Sequence, residues 1–204
     1  MVKFEDVKVL VAGKHDFVVP GKSMHIYSTT TLIKSDKNIV VDGGSAGFDK
    51  KIISGLKKEG LTPDDIDIVI LTHTHIDHTY NIGLYKNAKV YLKFLNTHSG
   101  MYQVLKDNML YKIDMMEGFE LARDVSVFLT PGHSPDHLSV LVKTDKGNVV
   151  VCGDAIASEH AIKDDPNPNL VWSLDEYKKS RKRVLDKADW LIFGHAGLHQ
   201  VQKL

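Results

Sequence analysis

Leu71-Thr72-His73-Thr74-His75-Ile76-Asp77-His78 places four potential metal ligands within six residues, at the end of the apolar run Ile66 to Leu71. Broken only by Asp67, this short run reads as a strand buried on both faces. Alternate residues of an extended chain point to the same side, so His73 and His75 can face one ion together. A helix starting near Asp77 would then carry Asp77 and His78 toward a second ion. Read as a plain polar turn, the stretch fits poorly. Three imidazoles and a carboxylate crowded together without a cation either repel on protonation or need several separate hydrogen-bond partners.

On the N-terminal side, Val7 to Ala12, His25 to Ile33 and Asn38 to Asp42 read as strands, the last ending at Gly43-Gly44. Phe48, Ile52, Ile53 and Leu56 then recur near the helical period, with Gly60 as a stop. On the C-terminal side come strands at Ala88 to Leu92, Val125 to Leu129, Leu138 to Lys143, Val149 to Cys152 and Trp190 to Phe193. Ser173-Leu174-Asp175-Glu176 has capping-box spacing before a helix whose apolar face holds Tyr177, Val184, Leu185 and Ala188. Strands dominate each half and each half has a helix, which implies a layered α/β architecture without fixing the layer order.

Three more strands end in a polar ligand beside glycine: Thr130-Pro131-Gly132-His133, Val151-Cys152-Gly153-Asp154 and Phe193-Gly194-His195. Each alone reads equally as a strand-end turn; the recurrence is harder to dismiss. Ligand sites in α/β proteins gather at such strand ends.

With these motifs in order, the chain resembles the metallo-β-lactamase superfamily of metallohydrolases, from Val40-Val41-Asp42-Gly43 through His73-Thr74-His75-Ile76-Asp77-His78 to His133, Asp154 and His195. The resemblance implies one domain over residues 1–204, folded as a four-layer αβ/βα sandwich with a dinuclear site at one edge of the sheets. It matches His73, His75 and His133 to the first ion and Asp77, His78 and His195 to the second. Asp154 falls at the bridging carboxylate, Asp42 at a supporting acid beneath the site, and His137 at a position that supports the site without binding metal. Dizinc β-lactamases commonly carry cysteine where Asp154 stands, so the aspartate points instead to the branch of glyoxalase II-like thioesterases and lactonases. With nine residues after His195, we expect neither the glutathione-binding helical domain of glyoxalase II proper nor, at this length, the insertion of the RNA-cleaving branch.

The implied chemistry is metal-assisted hydrolysis. Two cations about 3.5–4 Å apart lower the pKa of a shared water toward about 7, so hydroxide is available at neutral pH to attack a carbonyl. With nitrogen and oxygen ligands and no thiolate, zinc leads, and iron or manganese also suits the set. Asp77 is the candidate catalytic residue, orienting the nucleophile or passing its proton onward. The expected activity is cleavage of an ester, thioester or lactone in a small metabolite. Two alternatives are a mononuclear iron enzyme of the persulfide dioxygenase type, built on the equivalents of His73, His133 and Asp154, and a phosphodiesterase or nuclease. A metal-binding module without turnover has no positive support.

Composition fits this picture. The chain has 204 residues with 26 Lys+Arg against 26 Asp+Glu, so no overall field attracts nucleic acid or an anionic membrane. Cys152, the single cysteine, excludes an intrachain disulfide and a thiolate-rich site. The mixed-charge N-terminus and the lack of a long apolar stretch lead us to expect a soluble, cytoplasmic protein with a small-molecule substrate. Tyr80 is a candidate substrate contact, although ring packing explains it as well. Cys152 reads as inert packing, and Lys178, Lys179, Arg181, Lys182 and Arg183 as a solvated helix face. Residues 94–118 hold four of the six methionines; Met101, Tyr102, Leu105 and Met109 mark a short helix that serves equally as a lid, a core helix or a homodimer contact. His15, His25, His98, His160 and His199 lack ligand spacing.

Overall fold

A computed structural model describes residues 1–19, 23–93, 110–112 and 119–202. One six-stranded sheet has the order β1 (Val7–Val11), β4 (Thr30–Lys34), β5 (Asn38–Val41), β6 (Ile68–Ile70), β7 (Lys89–Leu92) and β8 (Leu110–Lys112). Its first two pairings are antiparallel and its last three parallel. The second has the order β14 (Leu198–Gln200), β13 (Trp190–Phe193), β12 (Gly147–Gly153), β11 (Leu138–Thr144), β10 (Val125–Leu129) and β9 (Phe119–Ala122). Only β12 and β13 pair in parallel there. A separate hairpin joins β2 (Lys14–Val19) to β3 (Ser23–Tyr27).

The layer order follows from side-chain alternation along strands that are apolar on both faces. Ile39, Val41, Ile68 and Ile70 of the first sheet meet Val125, Val127, Val140, Val149, Val151 and Ile192 of the second in a buried central layer. The intervening Val40 and Val69 face the opposite way, onto Ile52 and Leu56 of α1 (Asp49–Lys58). Val150, Cys152 and Leu191 likewise face Val184 of α3 (Leu174–Lys187) and Ala188, the residue that caps it. The fold is therefore a four-layer αβ/βα sandwich.

Four local expectations change. The stretch His25 to Ile33 is two strands, because Ser28 and Thr29 leave the ladder: their N–H groups donate to Ser45 Oγ at 3.0 Å and the Gly194 carbonyl at 2.7 Å. Ile53 is 40% exposed, since only Ile52 and Leu56 fall on the inner stripe of α1. Within 94–118, residues 110–112 form a strand on β7; the helix, lid and dimer-contact readings fall on residues outside those described. Beyond His195, β14 adds an edge strand. Among the described residues no helix is long and apolar enough to cross a membrane.

Candidate metal centre

Asp42 follows β5, His73 and His75 follow β6, His133 follows β10, Asp154 follows β12 and His195 follows β13. These strands end at one edge of the sandwich, so residues up to 153 positions apart in sequence converge there. Asp77 and His78 lie in the one-turn helix α2 (Ile76–Thr79), immediately after His75. Three ligand groupings result: His73, His75 and His133; His73, His78 and Asp154; and Asp77, His78 and His195, with the donor atoms of each within 4.8 Å of one another.

Asp154 stands between the first and third groupings. Its Oδ2 is 3.2 Å from His133 Nε2 and 3.2 Å from His195 Nε2, and its Oδ1 is 3.4 Å from His78 Nε2. On the other side of the cluster, Asp77 Oδ2 is 3.8 Å from His78 Nε2 and 3.7 Å from His195 Nε2. His75 Nδ1 and His133 Nε2 are 3.0 Å apart, two ring nitrogens facing each other.

Partners outside the cluster set which ring nitrogen faces inward. The Asp42 carboxylate accepts Thr72 N–H at 2.8 Å and Thr72 Oγ1–H at 2.9 Å. It also accepts His78 Nδ1–H at 2.8 Å, which leaves Nε2 toward the centre. With its own proton given to Asp42, Thr72 Oγ1 accepts His73 Nδ1–H at 3.0 Å. His195 Nδ1–H donates to the Tyr27 carbonyl at 2.9 Å. His137 has both ring nitrogens engaged: its Nε2 accepts the Asp154 backbone N–H at 3.0 Å and its Nδ1 bonds Thr130 Oγ1 at 2.9 Å, while its ring stacks on that of His73 with centroids 5.0 Å apart. Asp42 bears these bonds at a φ of 62°, a left-handed conformation unusual for a non-glycine residue.

The centre is built for cations. His73 Nε2, His78 Nε2 and Asp154 Oδ1 are buried and have no hydrogen-bond partner among the described residues, a costly state for polar atoms and one that a divalent ion relieves. Burial works against charge on His78, yet Asp42 and Asp154 outweigh it and raise that imidazole well above its ordinary pKa. Burial also opposes charge on Asp154, but His195 and His78 hold its carboxyl well below the usual range. Burial keeps His73, His133 and His137 below the ordinary histidine value, hence neutral. The carboxylates that draw a proton onto His78 would equally draw a metal ion.

The structure thus brings together His73, His75, Asp77, His78, His133, Asp154 and His195, with Asp42 and His137 behind them. Tyr80 follows α2 and is 56% exposed, and no contact among the described residues ties it to the cluster. Several contributors were not singled out from sequence. Ser28 and Ser45 hydroxyls donate to the Asp77 carbonyl at 2.5 and 2.9 Å, fixing the start of α2. Asp136 is buried and bonds Thr74. His15, on the unanticipated hairpin, places its ring 5.8 Å from that of His195. Each depends on contacts between distant segments; Asp136 alone gave a signal, standing beside His137 in a ligand-bearing turn. Cys152 is buried, its Sγ 3.2 Å from the Ile192 carbonyl oxygen, and burial pushes its thiol up and keeps it protonated. The basic run on α3 is paired: Lys178 and Arg181 with Asp165, Lys179 with Glu176, Lys182 with Asp186, and Arg183 with the Leu129 carbonyl.

The model of the metallo-beta-lactamase superfamily matches residues 26–195. Metallo-beta-lactamase domain-containing protein 1 of Xenopus laevis is 29% identical over 206 residues, covering 97% of this chain and 82% of that protein. An N-acyl homoserine lactonase of Bacillus cereus is 30% identical over 156 residues, 71% of this chain and 62% of the lactonase. Among solved structures, a Thermotoga maritima protein described as a metallo-beta-lactamase superposes with a TM-score of 0.75 at 26% identity, covering 96% of this chain and 99% of that one. An N-acyl homoserine lactone hydrolase with N-hexanoyl-L-homoserine bound at its catalytic metal centre superposes with a TM-score of 0.71 at 19% identity, over 96% and 94% of the two chains, a likeness of fold. With that family match covering most of the chain, and with His and Asp groups at one sheet edge able to hold metal, the chain belongs to the metallo-beta-lactamase superfamily and is a metallo-hydrolase of that class.

Proposed function

We propose that this protein is a dinuclear hydrolase that cleaves an ester, thioester or lactone in a small molecule. The observation that carries this reading is the position of Asp154 between two ligand sets, His73, His75 and His133 on one side and Asp77, His78 and His195 on the other. The all-nitrogen and oxygen donor set suits zinc best, with iron or manganese as alternatives. Two bound divalent ions would supply Lewis acidity and a water of lowered pKa.

The protein's own groups do the rest. Asp42, Thr72 and the Tyr27 carbonyl orient the imidazoles. Asp77, whose side chain is 20% exposed, is the cluster carboxylate most open to solvent, the place for a group that holds the attacking water and takes its proton. The clamp of Ser28 and Ser45 on its main chain fixes that carboxylate's base. The lactonase relative supports a carbonyl substrate, while the balanced charge and the paired cations of α3 disfavour a polyanion.

Elemental analysis of protein purified without chelator, beside a His78→Ala variant, tests the reading. About two zinc per chain is expected, falling toward one in the variant. A screen of esters, thioesters and lactones should then find turnover that Asp77→Ala lowers by about 10²- to 10⁴-fold, the scale of general base catalysis, with the fold intact by circular dichroism. A single iron unaffected by His78→Ala would move the reading to the mononuclear dioxygenase chemistry, and full activity in Asp77→Ala would remove that residue from the mechanism.

A further inference from the structure

We infer that Asp136 is a positioning residue for the first ligand set: through Thr74 it fixes His75 relative to His73 and His133. The inference rests on the proposed metal centre and adds to it a residue that binds no metal.

Asp136 is only 2% exposed. Its Oδ2 accepts both the backbone N–H of Thr74, at 3.0 Å, and the Thr74 hydroxyl, at 2.7 Å. A buried carboxylate is costly unless its bonds are made, and these two bonds reach across 62 residues to the one residue between His73 and His75. Thr74 belongs to the edge of the first sheet and Asp136 to the edge of the second. The pair therefore links the two halves of the first ligand set where they meet, beside the 3.0 Å approach of His75 to His133.

His75 needs such support more than its neighbours. His73 is buried and tied to Thr72, and His78 is buried and tied to Asp42. His75 is exposed and stands at the N-cap of α2 with no side-chain capping bond, its ring meeting another ligand, His133. The direction of its imidazole thus depends on the backbone that Thr74 provides. The turn carrying Asp136 is itself tied on several sides: Lys93 Nζ donates to the Pro135 carbonyl at 2.8 Å, Leu138 N–H to the Thr72 carbonyl at 2.8 Å, and His137 holds the Asp154 N–H. Asp136 is a stiff post against which the two-histidine segment is braced.

Cobalt(II) binding to metal-free protein, followed by visible absorption and by chelator competition, tests this. Asp136→Ala should weaken one of two cobalt equivalents by about 10- to 100-fold, the usual cost of losing a group that orients a ligand. In a His78→Ala background, which impairs the second set, Asp136→Ala should weaken the remaining equivalent. In a His133→Ala background, which impairs the first, it should change little. Asp136→Asn keeps an acceptor oxygen and should restore most of the affinity and the wild-type spectrum. If Asp136→Ala does not fold, Thr74→Val against Thr74→Ser reads the same link from its other end, with Val weakened and Ser close to wild type. Unchanged binding in Asp136→Ala, or equal weakening in both backgrounds with Asn no better than Ala, would overturn the inference. Wild-type protein that takes up no cobalt would overturn the reading of the centre itself, and this inference with it.

Discussion

The place of Asp154 between the two ligand sets depends on the absence of a side chain next door. A Cβ built on Gly194 would overlap Asp154 Oδ1 and lie 2.7 Å from the Gly153 carbonyl carbon. Gly153 is itself at φ +48°, where a Cβ would come within 2.9 Å of both Thr72 and His137. The two glycines let β12 and β13 bring their following ligands together, because the parallel pairing ends at Gly153 opposite Phe193. Gly194→Ala must displace the carboxylate or the backbone. It should cost about 1–3 kcal/mol of stability, the range for overpacking a filled site, and it should reduce metal content. Chemical denaturation with elemental analysis measures both; a variant with wild-type stability and metal content would show that the carboxylate has room to move.

Among the elements, the segment leading into α3 joins packing to the rim of the centre. Ser173 Oγ accepts the Glu176 N–H at 3.3 Å, so the Ser173 half of the expected capping box forms, while the Glu176 carboxylate pairs with Lys179 instead. The preceding Trp172 donates its backbone N–H to the His133 carbonyl at 3.1 Å while 59% of the residue remains exposed. Ile76, between His75 and Asp77, is 72% exposed as well. Large apolar groups left open beside a polar centre suit a substrate with an apolar portion next to the reacting carbonyl. Trp172→Ala should therefore raise KM by about tenfold, the scale of burying one large apolar side chain, with kcat little changed. Steady-state kinetics on the best substrate from the screen would show it; a fall in kcat at constant KM would place Trp172 in the chemistry instead.

Across the whole molecule, the two sheets are tied at the end of the strands where Asp36 lies. Asp36, in the β4–β5 turn, accepts the Arg123 N–H at 2.9 Å, and Ser35 Oγ–H donates to the Arg123 carbonyl at 2.6 Å in the β9–β10 turn. The Arg123 N–H holds the Asp36 carboxyl below its ordinary pKa. A carboxylate whose folded pKa is lowered stabilises the protein fully above the unfolded value, about 3.9, and that contribution disappears as pH falls through the lower folded value. Asp36→Asn should thus be less stable than wild type near neutrality, with the difference shrinking in acid. Thermal melts from about pH 5 to about pH 2 would show the convergence, which sets in only below about pH 4, and a difference independent of pH across that window would assign the effect to shape rather than charge.

Much of the centre was legible in sequence because its candidate ligands are concentrated at strand ends with recognisable spacing. His73, His75, Asp77 and His78 are neighbours in one turn, and His133, Asp154 and His195 each end an apolar run beside glycine. The strands were legible for the same reason: runs such as Val149 to Cys152 are apolar at every position, which only a sheet covered on both faces requires. What tertiary structure decided lies in bonds between distant segments. The break at Ser28 and Thr29 exists because their backbone groups pair with Ser45 and Gly194, and the roles of Asp136 and the Tyr27 carbonyl exist because loops from two sheets meet at one edge. Periodicity reports which face of an element is buried; it contains no information about which remote partner a turn will find, because that partner is set by how the layers pack.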